Sequence, residues 1–290
     1  KHSLASSSSN YKNKDNVYAA YISITQNIKD FGYQIGLRQE SSEYTGELTD
    51  TKKKFTNNYP LNLFPSVFLS QKLKNDQQVQ FNYSRRVNRP FFMEIIPFID
   101  STDQLNWKVG NAGLKPEFTN SFEASYSKKF NANNNILASV YYKQTDNMIT
   151  QFIDTISLNG GTKRPITTYI NANNSYSIGA EFTSQNKITK WWDVNTNINF
   201  YRSRINTSNI TNKSQDAMWS YFGKINNNLT LTKTLKLQVS GFYQSKTNMP
   251  VKQNQGMMGG PPPMGGGQSS PQGYIRSNWA IDMAIQKSLF

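Results

Sequence analysis

The chemistry-bearing residues with the most definite spacing are three arginines in the segment 83–90, which reads Tyr-Ser-Arg-Arg-Val-Asn-Arg-Pro. Arg85, Arg86 and Arg89 fall where a predicted strand ends, because Pro90 cannot donate a ladder hydrogen bond. Guanidinium groups bind carboxylates and phosphates through paired hydrogen bonds. We therefore expect these arginines to anchor the following loop against carboxylates or lipid phosphate, with direct solute contact as the alternative. Replacing Arg86 by alanine is expected to loosen that loop.

Residues suited to catalysis are scarce. The sequence has one histidine, His2, in a serine-rich terminus, whereas hydrolases need an imidazole held in place. It has no cysteine, which removes thiol catalysis, disulfides and thiolate metal sites. The glycine pair at Gly160 and Gly161 lacks the leading glycine of a phosphate-binding loop. We predict that the protein is not an enzyme and binds no cofactor and no metal.

The segment 248–271 is rich in Gly, Pro and Met. Gly and Pro disfavour regular structure, so we predict a flexible extracellular loop. Met257, Met258 and Met264, with Met249, could offer thioether ligands to Cu(I), but no histidine or cysteine accompanies them.

The elements that must carry these residues show a clear period of two. In Phe31–Arg38, Val194–Tyr201 and Leu235–Gln244, apolar residues alternate with polar ones, which gives each strand two chemically opposite faces. Repeated segments of roughly ten such residues are typical of outer-membrane β-barrels. The sequence therefore predicts an all-β protein, an antiparallel transmembrane β-barrel with lipid on one face of each strand.

Composition agrees with that interpretation. Hydrophobic residues make up 36%, aromatic residues reach 13%, and the mean hydropathy is -0.66. Disordered chains are poor in aromatics, and no apolar run is long enough for a helical membrane span. The charges behind the net +14 are scattered rather than striped, so we expect contact with lipid phosphate or an anionic solute and not with nucleic acid.

About eleven strands are predicted, and their connections alternate between short polar turns and longer loops. In outer-membrane barrels the short turns are periplasmic and the long loops face outward. The predicted strands are 16–26, 31–42, 59–71, 77–87, 117–130, 135–153, 167–187, 191–206, 216–231, 235–247 and 272–289. The odd strand count and the parity of Phe290 predict a partial barrel, spanning 1–290 and cut at both ends.

Polar residues on the face opposite the apolar one are expected to line the lumen. An eight-stranded barrel fills its interior with side chains, so this many charges and amides predict a wider lumen. The aromatics Trp191, Trp192, Trp219, Tyr221 and Trp279 fall near strand ends, where amphipathic rings suit the headgroup level. The charged lumen candidates are Arg38, Glu123, Glu181, Lys224 and Lys236.

The arginine segment resembles the TonB-dependent outer-membrane receptor family, as do the segments 62–66, 97–98 and 110–117. The resemblance implies a barrel of about 22 strands, with a plug and a carboxypeptidase-regulatory-like module upstream. It also implies energy-coupled uptake of a bulky solute in the outer membrane of a Gram-negative bacterium. The implied partners are outer-membrane lipid and a periplasmic energy-coupling protein, and a surface lipoprotein is a further candidate. Ile96 departs from the family pattern, which has Asn before Pro97.

Two other interpretations are open. A structural or adhesive surface protein would make its contacts through the long loops rather than the lumen. A soluble β-sandwich is the third class, although it has no reason to alternate short and long connections.

Overall fold

A computed structural model describes residues 10–49, 52–157, 161, 163–210, 216–248 and 273–288. Eleven long strands form one antiparallel sheet in which each strand pairs with its neighbours along the chain, apart from loop elements. The predicted antiparallel strands are thereby confirmed. The strands are β1 Tyr11–Ile28, β2 Phe31–Leu48, β3 Lys53–Leu73, β4 Gln77–Asn88, β5 Ile99–Asp100, β6 Lys108–Val109, β7 Glu117–Asn131, β8 Asn134–Asp146, β9 Ile149–Ser157, β10 Lys163–Asn171, β11 Asn174–Thr189, β12 Trp192–Asn206, β13 Met218–Thr230, β14 Leu235–Gln244 and β15 Asn278–Lys287, with a short helix α1 at Phe92–Ile95.

The pairing register gives the sheet an apolar face and a polar face. Residues directly opposite each other on paired strands share a face. One such row across six strands is wholly apolar or aromatic: Ile35, Val67, Tyr83, Phe122, Tyr142 and Ile178. We call the side of this row the apolar face. The opposite side, which carries Ser70, Gln80, Ser125, Ser139 and Glu181 in a neighbouring row, is the polar face.

The apolar stripe crosses the sheet obliquely. One hydrogen-bonded row begins at Gln71 on β3 and ends at Trp279 on β15. On β3 the apolar residues lie between this row and the end of the sheet with the long loops: Leu63, Val67 and Leu69. On β15 they lie between the row and the end with the short turns: Ile281, Met283 and Ile285. A level apolar band therefore requires strands that are tilted to the membrane normal, as barrel closure also requires.

The connections at one end of the sheet are tight. Lys29, Asn75 and Asp76 have positive φ angles of 54°, 59° and 54°. Asn and Asp tolerate this left-handed region better than most residues, because their short side chains hydrogen-bond locally. These turns join β1 to β2 and β3 to β4, and the connections from β7 to β8, β11 to β12 and β13 to β14 lie at the same end.

Two predicted loops are strand for most of their length. The segment 43–58 continues the β2–β3 hairpin as far as Leu48 and Lys53, with a bulge at Glu40/Ser42. The segment 154–166 contains the ends of β9 and β10, which pair up to Ser157 and Lys163. The prediction ended these strands too early, because antiparallel pairing in both hairpins continues well past the predicted strand ends.

The predicted strands 135–153 and 167–187 form one kinked hairpin. β8 pairs with β11 up to Asp146↔Asn174, and β9 pairs with β10 from Ile149↔Asn171 in the same register. Asn147, with a φ of 54°, lies at the break. Beyond it the hairpin joins β5 and β6 in a second sheet of order β5-β6-β10-β9.

Within the described residues, no helix is long and apolar enough to cross a membrane. β1 and β15 are the edge strands of the large sheet, and no pairing joins them in the part of the chain that the structure describes. The predicted Gly/Pro/Met-rich loop 248–271 lies outside the described residues, except for Asn248.

Candidate functional site

The long connection after β4 is fixed to β2 by an ionic cluster, which we define as Arg38, Glu40, Tyr44 and Arg89. Glu40 is 5% exposed and accepts a hydrogen bond from Arg38 Nε at 2.6 Å. Arg89 forms an ion pair with the other carboxylate oxygen of Glu40 and donates through Nε to the Tyr44 hydroxyl. A buried carboxylate needs this kind of pairing, because an isolated charge is costly to desolvate.

The β2 and β3 extensions supply an aromatic wall beside this cluster. Tyr44 lies against Tyr59 with ring centroids 6.2 Å apart, and Arg89 lies 6.0 Å from the Tyr44 ring centroid.

A second polar contact joins the two ends of the same connection. Glu117, the first residue of β7, accepts hydrogen bonds from Asn88 Nδ2 at 2.7 Å and from the Ile149 backbone at 2.6 Å. Glu117 is buried, so both of its oxygens are satisfied by the chain itself. This carboxylate ties the end of β4 to the start of β9.

The segment 90–116 is packed closely between these contacts. The Gly110 backbone donates to Ile96 at 2.9 Å, and Asn111 donates to Glu94 at 2.7 Å. A Cβ at Gly110 would lie 2.6 Å from the Ile96 nitrogen, so only glycine fits. Leu114 is 1% exposed, so its side chain is shielded from solvent within this packing.

Asparagine side chains join this segment to its neighbours. Asn57 on β3 donates to the carbonyls of Ala112 and Leu114 at 3.3 and 3.4 Å, and Asn111 donates to that of Tyr169 at 2.9 Å. Asn171 both donates to and accepts from the Lys115 backbone. Segment 90–116, the β2–β3 extension and the β9–β10 hairpin thus form one cross-linked unit, which we call the loop layer.

The loop layer contains a cleft of about 100 Å³. Its walls come from the β1–β3 extensions on one side and from the segment after β4 on the other. Aromatic rings and prolines supply nearly half of the lining, and Arg89 and Asp15 contribute charges of opposite sign: the main residues are Tyr11, Asp15, Tyr44, Phe55, Tyr59, Arg89, Pro90, Phe92 and Pro116.

The three arginines of the 83–90 segment do not gather at one point. Arg89 belongs to the ionic cluster. Arg85 lies on the apolar face, 5.3 Å from the Phe118 ring centroid. Arg86 lies on the polar face opposite Thr119, is exposed, and makes no ion pair with the described residues. The anchoring contacts therefore fall on Arg89 rather than on Arg86.

The five charged lumen candidates share the polar face. Glu181 accepts a hydrogen bond from Asn197 at 2.6 Å, and Lys224 lies opposite Asn197 in the register. Glu123 lies opposite Asn82 and Tyr141, and Tyr141 donates to Asn199 at 3.0 Å. Arg38 is paired with Glu40, and Lys236 lies opposite Thr230 near the turn end of β14. That this face lines the lumen of a closed barrel stays a prediction.

One polar cluster on this face has no signal in the sequence. The residues after β14 turn across β12 and β13, so that Tyr201 hydrogen-bonds Thr247 at 2.9 Å and Ser203 donates to Asn248 at 2.6 Å. Ser220 donates to the Lys246 carbonyl at 2.9 Å. These side chains are buried. We call this group the Asn248 cluster.

No group of three or more potential metal-ligating His, Cys, Asp or Glu side chains occurs in the part of the chain that the structure describes. His2 and the methionines proposed as Cu(I) ligands lie outside that part.

The fold was compared with solved structures. The siderophore receptor PirA from Pseudomonas aeruginosa matches with a TM-score of 0.55 at 14% identity, covering 82% of this chain and 49% of that protein. The copper transporter OprC matches with 0.61 at 11%, covering 95% and 40%. The ferric yersiniabactin uptake receptor FyuA from Yersinia pestis matches with 0.55 at 15%, covering 96% and 39%. The chain thus spans less than half the length of these proteins.

At such low identities the likeness concerns the fold, and it confirms the predicted receptor-type barrel. No curated protein sequence gives a significant match. The sequence itself matches the model of the outer membrane protein beta-barrel family over residues 2–260. With that match over most of its length, and a strand meander of the receptor-barrel kind, the chain belongs to the outer membrane protein beta-barrel family and resides in the outer membrane of a Gram-negative bacterium.

Proposed function

We propose that this chain is part of an outer-membrane receptor that binds a bulky solute and takes it up with energy supplied from the periplasm. The observation that carries the proposal is the polar face of the eleven-stranded sheet. It presents hydrogen-bonded amides and charges of both signs, such as Asn197, Glu181 and Lys224, over the full width of the sheet. Such a face requires water or a polar filling on the barrel interior.

The width of the sheet supports the same proposal. A barrel of eight strands fills its interior with side chains, whereas barrels of about 22 strands enclose a plugged lumen. Eleven strands already exceed the first size without closing. This chain covers 39–49% of the matched receptors and the copper transporter, so we take these larger proteins as the analogue for a wider barrel.

The loop layer is the proposed entry surface for the solute. Its ionic and amide contacts hold segment 90–116 beside the polar face, with Arg89 as an anchor and Arg86 exposed for solute contact. Receptors benefit from a held loop, because a loop that is ordered beforehand loses less entropy on binding. A periplasmic energy-coupling protein belongs to the proposal through the family resemblance alone.

A structural or adhesive surface role is the second candidate. Several apolar side chains of the loop layer are exposed, including Phe91 at 68%, Met93 at 59% and Leu105 at 94%. Exposed apolar groups at the tip of a surface loop suit contact with another protein. A surface lipoprotein is one such partner.

Uptake by the native host separates the two candidates. The full-length gene would be deleted, complemented with the wild type, and tested for uptake of radiolabelled ferric siderophores and copper salts. If the protein is a receptor, the deletion strain should lose uptake of one solute and the wild-type gene should restore that uptake. A protonophore should abolish the restored uptake. Unchanged uptake of all solutes together with reduced surface attachment would overturn the receptor proposal and support the adhesive one.

A further inference from the structure

The cleft of the loop layer lies between one face of the sheet and the segment that covers it. Asp15 pairs with Tyr44, and Tyr44 pairs with Asn57, so these three residues share the polar face of the β1–β3 extensions. By the same register, every other lining residue from these extensions is on that face: Tyr11, Asn13, Gly46, Phe55 and Tyr59. The opposite wall comes from Arg89 and segment 90–116. A ligand in the cleft would therefore contact the sheet on one side and the loop on the other.

Aromatic rings enclose the apolar part of the cleft. The Tyr11 ring lies directly on the Gly46 backbone, where a Cβ would collide with its hydroxyl. Its centroid is 5.8 Å from that of Phe92, which belongs to α1 on the opposite wall. Tyr44 and Tyr59 form the second aromatic pair. Pockets for small molecules are commonly built this way, from aromatic walls and a few polar groups that fix the orientation of the ligand.

Two residues of opposite charge lie among the described lining residues. Arg89 uses Nε for Tyr44 and one terminal nitrogen for Glu40, which leaves the other terminal nitrogen without a partner among the described residues. Asp15 is exposed, and its carboxylate forms neither a hydrogen bond nor an ion pair with those residues. A ligand that carries both a carboxylate and an ammonium group can use both side chains.

Tyr44 separates Asp15 from Arg89. Asp15 lies directly opposite Tyr44 in the register, and Arg89 binds the hydroxyl at the far end of the Tyr44 side chain. An α-amino acid suits such a gap, because its ammonium and carboxylate groups are attached to the same carbon and each reaches further through a charge-assisted hydrogen bond of about 2.8 Å. Arg38 and Glu40 add one more charge of each sign beside the cleft, so the four charges cancel. A zwitterion therefore matches the site better than a net anion or a net cation does.

The volume of the cleft limits the size of the group that it can hold. It measures about 100 Å³, whereas an apolar cavity of about 150 Å³ holds a benzene ring. The cleft thus accommodates an α-amino-acid group with a small side chain, and a bulky solute would insert only such an end group. Asp15 is exposed while Leu114 and Pro116 are buried, so the cleft opens towards β1.

We infer that this cleft binds the zwitterionic α-amino-acid group of a ligand. Asp15 holds the ammonium group, Arg89 holds the carboxylate, and the aromatic rings pack around the side chain. The inference rests on the proposed receptor function for the uptake of the ligand, but binding can be measured without uptake.

The test titrates the full-length protein in dodecyl maltoside micelles with L-valine, followed by saturation-transfer NMR of the ligand. The titration is made at about pH 6.5, because α-amino groups lose their proton near pH 8. L-Valine should bind at least about tenfold more tightly than L-valinamide, which lacks the carboxylate, and than isovalerate, which lacks the ammonium group. Each analogue loses one charge-assisted contact.

Asp15→Asn tests the ammonium contact. The variant should bind L-valine about tenfold more weakly than the wild type does and should bind isovalerate equally well, since isovalerate has no group for Asp15. The matched control is Glu43→Gln. Glu43 is an exposed carboxylate beside Tyr44 on β2, but it lies on the other face of the sheet, so all three ligands should bind as they do to the wild type.

Equal affinity of the wild type for L-valine and either analogue would overturn the inference, as would unchanged L-valine binding by Asp15→Asn or an equal loss in Glu43→Gln. The comparison of ligands uses the wild type alone, so it decides the case even if heat-modifiable migration shows that Asp15→Asn is unfolded. Selective L-valine binding together with unchanged uptake in the deletion strain would support the cleft as a ligand site and contradict the receptor function. Uptake of a solute by a protein that does not bind L-valine would contradict the inference and leave the receptor function standing.

Discussion

Arg89 and Glu40 form an ion pair across 49 residues of sequence, and this pair connects the loop after β4 to the extension of β2. Glu40 also accepts from Arg38, so its carboxylate is held by two guanidinium groups. These side-chain contacts therefore attach the loop layer to the sheet. It is fixed to the polar face of the sheet at the point where β2 and β3 rise above their neighbours.

Arg89→Ala is expected to loosen segment 90–116. The Glu40 carboxylate is 7% exposed and would lose one of its two partners, but Arg89 is itself 31% exposed, so we expect a local loss of about 1–2 kcal/mol. The population in which the segment is open should rise about tenfold, and the rate of protease cleavage within the loop in intact cells measures this rise. The matched control is Arg86→Ala. Arg86 belongs to the same 83–90 segment, four residues before Pro90, and makes no ion pair with the described residues. Equal cleavage of both variants would contradict the anchoring role of Arg89.

Glu117→Ala is expected to free the start of β9. The substitution leaves the Ile149 amide and the Asn88 side chain without their acceptor, at a cost of about 1–3 kcal/mol. Hydrogen exchange at the Ile149 amide should accelerate, while amides in the middle of β12 should be unaffected. Glu117→Gln keeps one acceptor oxygen and should lie between the wild type and the alanine variant. Unchanged exchange at Ile149 in the alanine variant would show that the contact does not hold β9.

Gly110→Ala should disrupt the packing of segment 90–116. The added methyl group would approach the Ile96 nitrogen at 2.6 Å and the Glu94 carbonyl oxygen at 2.9 Å, both of which are backbone atoms that cannot swing aside. We expect a loss of about 1–3 kcal/mol, seen as faster protease cleavage of the segment. Gly273→Ala is the control, because a Cβ there meets no atom within 4 Å. Normal resistance to cleavage in Gly110→Ala would indicate that the backbone at Ile96 can yield.

The strand alternation is what the sequence predicts best. The period of two in Val194–Tyr201 assigns both faces of β12, and the register agrees with it. The same pattern predicted the continuous strands 135–153 and 167–187, whose register does continue through the kink at Asn147. That the outer half leaves the main sheet could not be predicted, because the kink depends on backbone geometry and on pairing with the distant β6.

The contacts of the site were harder to predict for a related reason. The 83–90 motif pointed to anchoring arginines, but which arginine meets a carboxylate depends on where the chain turns after Asn88. Only the fold brings Glu40 to Arg89. The Asn248 cluster was missed altogether, since the predicted strand 235–247 ran through Ser245 to Thr247, whereas the chain leaves the strand after Gln244 and crosses the sheet.

The Asn248 cluster provides the last prediction. Ser203→Ala removes the hydroxyl that donates to Asn248 Oδ1 at 2.6 Å, and because both residues are fully or almost fully buried, water cannot replace the lost donor without opening the contact. The expected cost is about 1–3 kcal/mol, localised at the start of the connection from β14 to β15, where Thr247 and Ile275 exchange two backbone hydrogen bonds. Faster hydrogen exchange at the Thr247 and Ile275 amides measures it. Ser101→Ala, at an exposed position of the loop layer, is the control and should leave these amides unchanged. If the Thr247 and Ile275 amides of Ser203→Ala are as protected as in the wild type, the backbone bridge between these residues holds the connection without the serine hydroxyl. The Asn248 cluster would then contribute packing alone.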